Sequence, residues 1–194
     1  MKKITTLLAF MMMFSVSFTF VSCDDDDDIA DTLWGTWEGD LYVTGIYDGY
    51  TYRAAYSTLS FDKSFYDYAS GSGYWIDYYS NAPWDYYASH ITWSVNNGVI
   101  TIYSIEDDTY YDIYSYSLSG NYFSGTLEDE FGTRMAFRLT KTSSPYWDDY
   151  DWGWGHYGRG PRYSNKRAKE TVVPFDDKSG DKPVRRILPR TEKQ

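Results

Sequence analysis

The chain has 194 residues, one cysteine and a formal net charge of −10, and 21% of it is aromatic, with 22 Tyr, 8 Trp and 10 Phe. That length suits one domain with its own core, the rings favour strands, and a single cysteine excludes an internal disulfide. Charge is segregated: residues 23–155 hold five basic against 23 acidic groups, net −18, whereas 156–194 hold 11 against five, net +6. The acidic block excludes nucleic acid as a partner of the folded domain, because phosphates are repelled.

Residues 1–22 have the parts of an export signal: Lys2 and Lys3, an apolar run from Ile4 to Phe20, and small Ser22 before Cys23. Phe20-Val21-Ser22-Cys23 resembles a bacterial lipobox. The resemblance implies cleavage before Cys23, a diacylglycerol on its thiol, and a palmitate-type acyl chain on its freed amine. Several chains on one residue anchor far more firmly than one. The protein is then tethered to a membrane through Cys23, unless the run stays uncleaved as an anchor or the cysteine is buried and structural.

Asp24, Asp25, Asp26, Asp27 and Asp28 follow at once, and residues 23–32 read as an acidic, disordered tether. An acidic run directly after the cysteine also resembles the surface-export signal of Bacteroidetes lipoproteins. In enteric bacteria an aspartate at that position resembles an inner-membrane retention signal instead. The Tyr and Asp content fits the former, which implies an outer-membrane lipoprotein exposed at the cell surface.

From 33 to 142, period-two alternation is broken at short intervals by Gly, Asn and Asp, the pattern of a multi-stranded antiparallel sheet. Strands are expected near residues 34–44, 52–62, 73–80, 87–95, 99–105, 110–118, 122–128 and 133–141. Leu33, Gly35, Trp37, Gly39, Leu41 and Val43 share an inward face on the first. Ile91, Trp93 and Val95, then Phe123, Gly125 and Leu127, then Met135, Phe137 and Leu139 repeat the pattern. Asn96-Asn97-Gly98 and Ser119-Gly120-Asn121 predict hairpin turns. Eight strands joined as a meander close a small barrel, so the fold class is all-β, an antiparallel up-and-down eight-stranded barrel.

Gly35-Thr36-Trp37, the segment Trp93 to Ile102, Phe123-Ser124-Gly125-Thr126-Leu127 and Phe137-Arg138-Leu139-Thr140-Lys141 resemble the lipocalin-like domains of Bacteroidetes lipoproteins. That resemblance implies a barrel floor formed by Gly35 and Trp37, with Arg138 packed on the Trp37 ring. It also implies a small apolar or amphipathic ligand inside the barrel, for which Trp93, Phe123 and Phe137 are the lining candidates. The barrel is hollow on that reading, or it is filled by its own rings.

Residues 143–194 read as a tail, first aromatic and low in complexity (Tyr146 to Gly158), then basic, proline-broken and disordered. The aromatic part either packs back on the barrel or stays free. Two histidines, His90 and His156, give no metal-ligand spacing, and His90, Asp85 and Ser89 read as a solvated turn more than a catalytic set. The acidic clusters match no calcium loop. No cofactor, no metal and no enzyme activity are expected. Trp75, Tyr79 and Trp84, from the densest aromatic group before the tail, are the candidates for stacking on a glycan. A surface scaffold contacting glycan or another envelope protein is therefore the second reading.

Overall fold

The computed structural model describes residues 24–155 and 183–187. Helix α1 (Asp24–Leu33) is followed by β1 (Gly35–Asp40), β2 (Val43–Tyr47), β3 (Tyr50–Arg53), β4 (Tyr56–Lys63), β5 (Ser70–Tyr78) and β6 (Tyr86–Asn96). Then come β7 (Val99–Ser104), β8 (Thr109–Leu118), β9 (Tyr122–Asp129), β10 (Arg134–Thr142), a 3-10 turn (Trp147–Asp149), β11 (Gly153–Gly155) and β12 (Val184–Ile187). Antiparallel pairing runs β6-β5-β4-β1-β10-β9-β8-β7 and returns from β7 to β6, which closes an eight-stranded barrel. The eight barrel strands meander in chain order except for the β2–β3 hairpin, an excursion between β1 and β4.

Alternation places the core. Trp37, Leu59, Phe61, Ile91, Ile102, Ile113, Phe123, Leu127 and Leu139 are buried inside the barrel, and edge-to-face pairs such as Trp37 on Phe123 (5.6 Å) and Phe123 on Phe137 (4.9 Å) fill it. Asn97 and Gly98 take φ of 51° and 74°, the left-handed pair that a two-residue hairpin requires.

Three expectations need correction. The first strand does not run from 34 to 44: Tyr42 adopts φ 56°, the chain turns out of the barrel, and Asp48-Gly49 (φ 49° and 73°) makes a second such hairpin. Residues 24–33 are not a disordered tether. Ala30 and Leu33 are buried on one face of α1, its leading aspartates suit a helix N-terminus, and Asp26 accepts bonds from the Asn97 and Gly98 amides. Nor is the basic part of the tail disordered throughout, since β12 pairs with β2 to make a three-stranded sheet with β3; of the two alternatives for the aromatic part, the structure shows packing on the barrel, where β11 pairs with β6.

The antiparallel order gives the barrel two poles. The first pole holds α1, the start of β1, the β6–β7 turn and the end of β10. Opposite it lies the mouth, with Tyr78 to Tyr86, the β7–β8 connection, the β2–β3 hairpin, β11 and β12.

Candidate functional site: the barrel mouth

Strand β5 alternates Gly73, Trp75 and Asp77 inward, with Tyr74, Ile76 and Tyr78 outward, so a carboxylate is delivered into an aromatic interior. Asp77 is fully buried. Two neighbours hold its Oδ1: the Ser57 hydroxyl donates at 2.5 Å and the Trp75 indole N–H at 2.9 Å. Its Oδ2 forms an ion pair at 2.6 Å with Nη2 of Arg185, which enters from β12. Nη1 of the same guanidinium donates to Asp107 Oδ2 at 2.9 Å, and the Ser104 hydroxyl donates to that oxygen at 2.7 Å.

Three rings complete the enclosure. The Arg185 guanidinium carbon lies 3.7 Å from the Trp75 ring centre, 5.2 Å from Tyr87 and 5.8 Å from Tyr111, and its side chain is only 1% exposed. Desolvation alone would lower the arginine, but Asp77, Tyr111 and Asp107 hold it well above its usual value. Burial pushes Asp77 up from the ordinary carboxylate range, against the pull of Arg185, Ser57 and Trp75. The guanidinium is charged throughout, and its pairing with two carboxylates is what makes a buried cation tolerable.

The cap above this cup is local chemistry too. Strand β12 pairs Val184 with Ile46, Arg185 with Gly45, Arg186 with Thr44 and Ile187 with Val43. Gly45 has no room for a side chain, because a Cβ there would sit 2.6 Å from the Trp84 ring and 2.9 Å from Trp154. Beside the cap a cleft of about 490 Å³ opens between Tyr87, Glu106, Asp107, Trp152, Trp154 and Arg185.

The residues singled out in the sequence fall as follows. Trp93, Phe123 and Phe137 face inward but are packed into the core rather than lining a void. Gly35 and Trp37 form the floor, where the Trp37 indole N–H donates to the Leu33 carbonyl at 2.7 Å. The cation on Trp37 is not Arg138, whose guanidinium lies outside over Tyr122 at 5.7 Å. It is Lys141, directly opposite Trp37 in register, with Nζ 4.9 Å from the ring centre; period-two spacing from Phe137 and Leu139 sends position 141 inward and 138 outward. Trp75, Tyr79 and Trp84 are buried, so none of them stacks on a glycan. Trp75 and Tyr79 share the inward face of Asp77, and Trp84 lies under the cap against Tyr52 and Trp154. The outward rings of that group are covered: Tyr74 stacks on Trp147 and Trp152, and Tyr78 bonds Tyr150 through their hydroxyls.

His90 and Ser89 sit on opposite faces of β6, and both bind Glu106, His90 Nδ1 at 2.6 Å and the Ser89 hydroxyl at 2.7 Å; Asp85 takes no part in this set. Residues 1–22, Cys23 and His156 lie outside the described residues. Among the described residues no three His, Cys, Asp or Glu side chains are grouped to hold a metal ion, and no helix is long and apolar enough to cross a membrane.

Asp77 was findable in advance, since alternation puts it on the inward face of β5 and a buried carboxylate requires a cation. Tyr87 stands in the densest aromatic group and Asp107 in the acidic cluster Glu106-Asp107-Asp108, but neither position points to a guanidinium site, and Arg185 and Tyr111 carry no site signal in the sequence. Val184, Ile187 and Leu188 mark a short apolar segment around Arg185, but nothing in it shows that an arginine of that segment turns inward.

No family model and no curated protein matches this chain. Among solved structures, one described as a redesigned beta barrel is similar with a TM-score of 0.38 at 14% identity, over 59% of this chain and 95% of that chain.

Proposed function

We propose that this protein is a non-catalytic lipoprotein, tethered through Cys23 to the outer membrane of a Gram-negative bacterium and acting by recognition at the barrel mouth. The observation that carries this reading is the polarity of the barrel. Helix α1 begins at Asp24, the residue after Cys23, and packs on the pole opposite the mouth. A lipid on Cys23 therefore holds one pole at the bilayer and leaves the other facing outward.

The lipocalin-like resemblance adds a small apolar or amphipathic ligand, but the lining candidates Trp93, Phe123 and Phe137 already pack on Phe61, Trp37 and each other. A ligand inside would have to displace them. This supports the scaffold reading, in which partners meet the mouth and its cleft, whose volume is in the range of small-ligand sites.

Host cells fed labelled palmitate test the anchor. The label should enter the wild type and be absent from Cys23→Ser, which should also leave the membrane fraction. Equal labelling of both, or none in either, would overturn the lipoprotein reading. Protease added to intact cells should remove the domain if it is displayed outside; full protection would place it on an inner face.

A further inference from the structure

We propose that the cup under the cap is a guanidinium-binding site, occupied in this chain by its own Arg185 and suited to an arginine side chain carried on an extended strand. The inference deepens the recognition reading above and does not depend on the lipid anchor.

Everything in the cup except the guanidinium comes from the barrel itself. Trp75 and Asp77 belong to β5, Tyr87 to β6, Asp107 to the β7–β8 connection and Tyr111 to β8. Both carboxylates are oriented by barrel donors that owe nothing to β12: Ser57 and Trp75 for Asp77, Ser104 for Asp107. A site whose binding groups are held by their own supporting bonds is organised before its occupant arrives.

Its chemistry selects one group. The two carboxylates take Nη2 and Nη1 of a single planar fork, at 2.6 Å and 2.9 Å, while Trp75 covers a face of that plane at 3.7 Å. An ammonium is a compact, strongly hydrated point charge without a planar face to lie on the indole and without two nitrogens spaced to serve one carboxylate each, so it fits the cup less well. The occupant reaches the cup on a strand, because β12 adds to the β2 edge through four antiparallel pairs, the mode by which extended peptides are captured at sheet edges. The barrel block is strongly acidic and the segment that supplies Arg185 is basic, so attraction also favours such strands at longer range.

The test is chemical rescue of the full-length Arg185→Ala protein with ethylguanidinium, and with ethylammonium as the control cation. Thermal unfolding should show saturable recovery of part of the lost stability by ethylguanidinium, with apparent affinity on the order of tenfold or more above ethylammonium. The selectivity should vanish when Asp77→Asn is added. If Arg185→Ala does not fold alone, refolding from urea with each cation gives the readout, and only ethylguanidinium should restore the near-ultraviolet signal of the ordered rings. Equal effects of the two cations, or none from either, would overturn the proposal and leave Arg185 as a structural ion pair.

Discussion

Both poles of the barrel set a cation on an indole, and they do so at very different depths. At the pole that carries α1 the Lys141 ammonium, on an exposed residue, lies 4.9 Å from the Trp37 ring. At the mouth the Arg185 guanidinium lies 3.7 Å from Trp75, sealed from solvent and paired with Asp77 and Asp107. An exposed contact of this kind is worth about 0.5–1 kcal/mol, and a desolvated one about 2 kcal/mol or more. The floor is therefore held by apolar packing of neighbours in sequence, Leu33 and Trp37 among them, with the lysine as an accessory. The mouth is held by a charge that arrives from the far end of the chain, and that charge is a requirement once Asp77 is buried.

Arg185→Ala breaks this comparison hardest. It should cost about 3–5 kcal/mol in urea unfolding, because Asp77 is left buried and unpaired. Adding Asp77→Asn should restore part of the loss, so the double-mutant cycle yields a coupling far outside additivity. Additive single effects would mean that the two side chains do not meet.

Raising the pH sharpens the comparison next, because the tyrosines around the guanidinium resist ionisation. Burial, reinforced by Asp77 for Tyr79 and by Asp107 for Tyr87 and Tyr111, pushes these phenols well above 10.0. A raised folded-state value means that the stability they contribute is fully present below the ordinary tyrosine range and is lost as pH climbs above it. Tyrosinate absorbance should therefore rise for the exposed rings first, with a cooperative remainder that appears only on unfolding; a single smooth titration of all tyrosines would contradict the closed mouth. Lys141→Met should have the smallest effect, about 0.5–1 kcal/mol in the same urea experiment. A loss as large as that of Arg185→Ala would erase the distinction between the two poles.

How much of this was legible in the sequence follows from the range of the interactions. The barrel strands were, because period-two alternation and turn residues such as Asn97-Gly98 act locally. The Asp48-Gly49 hairpin carries the same turn signal, yet the apolar alternation running through Leu41 and Val43 masks the corner at Tyr42. Five aspartates in a row read as a solvated run, although Ala30 and Leu33 behind them supply a helix face. Lys141 was legible by counting in twos from Phe137; the resemblance pointed to Arg138 instead. Arg185 was not legible, since the rule that charged residues face water assigns it outward, and only its pairing with Asp77, contributed by a strand remote in sequence, reverses that assignment.

Arginine side-chain NMR of the full-length protein tests the central claim most directly. One Nε–H resonance should be shifted strongly upfield by the Trp75 ring, exchange slowly with water, and vanish in Arg185→Lys. Arginine signals that all exchange rapidly at solvent-averaged positions would contradict a mouth closed by Arg185.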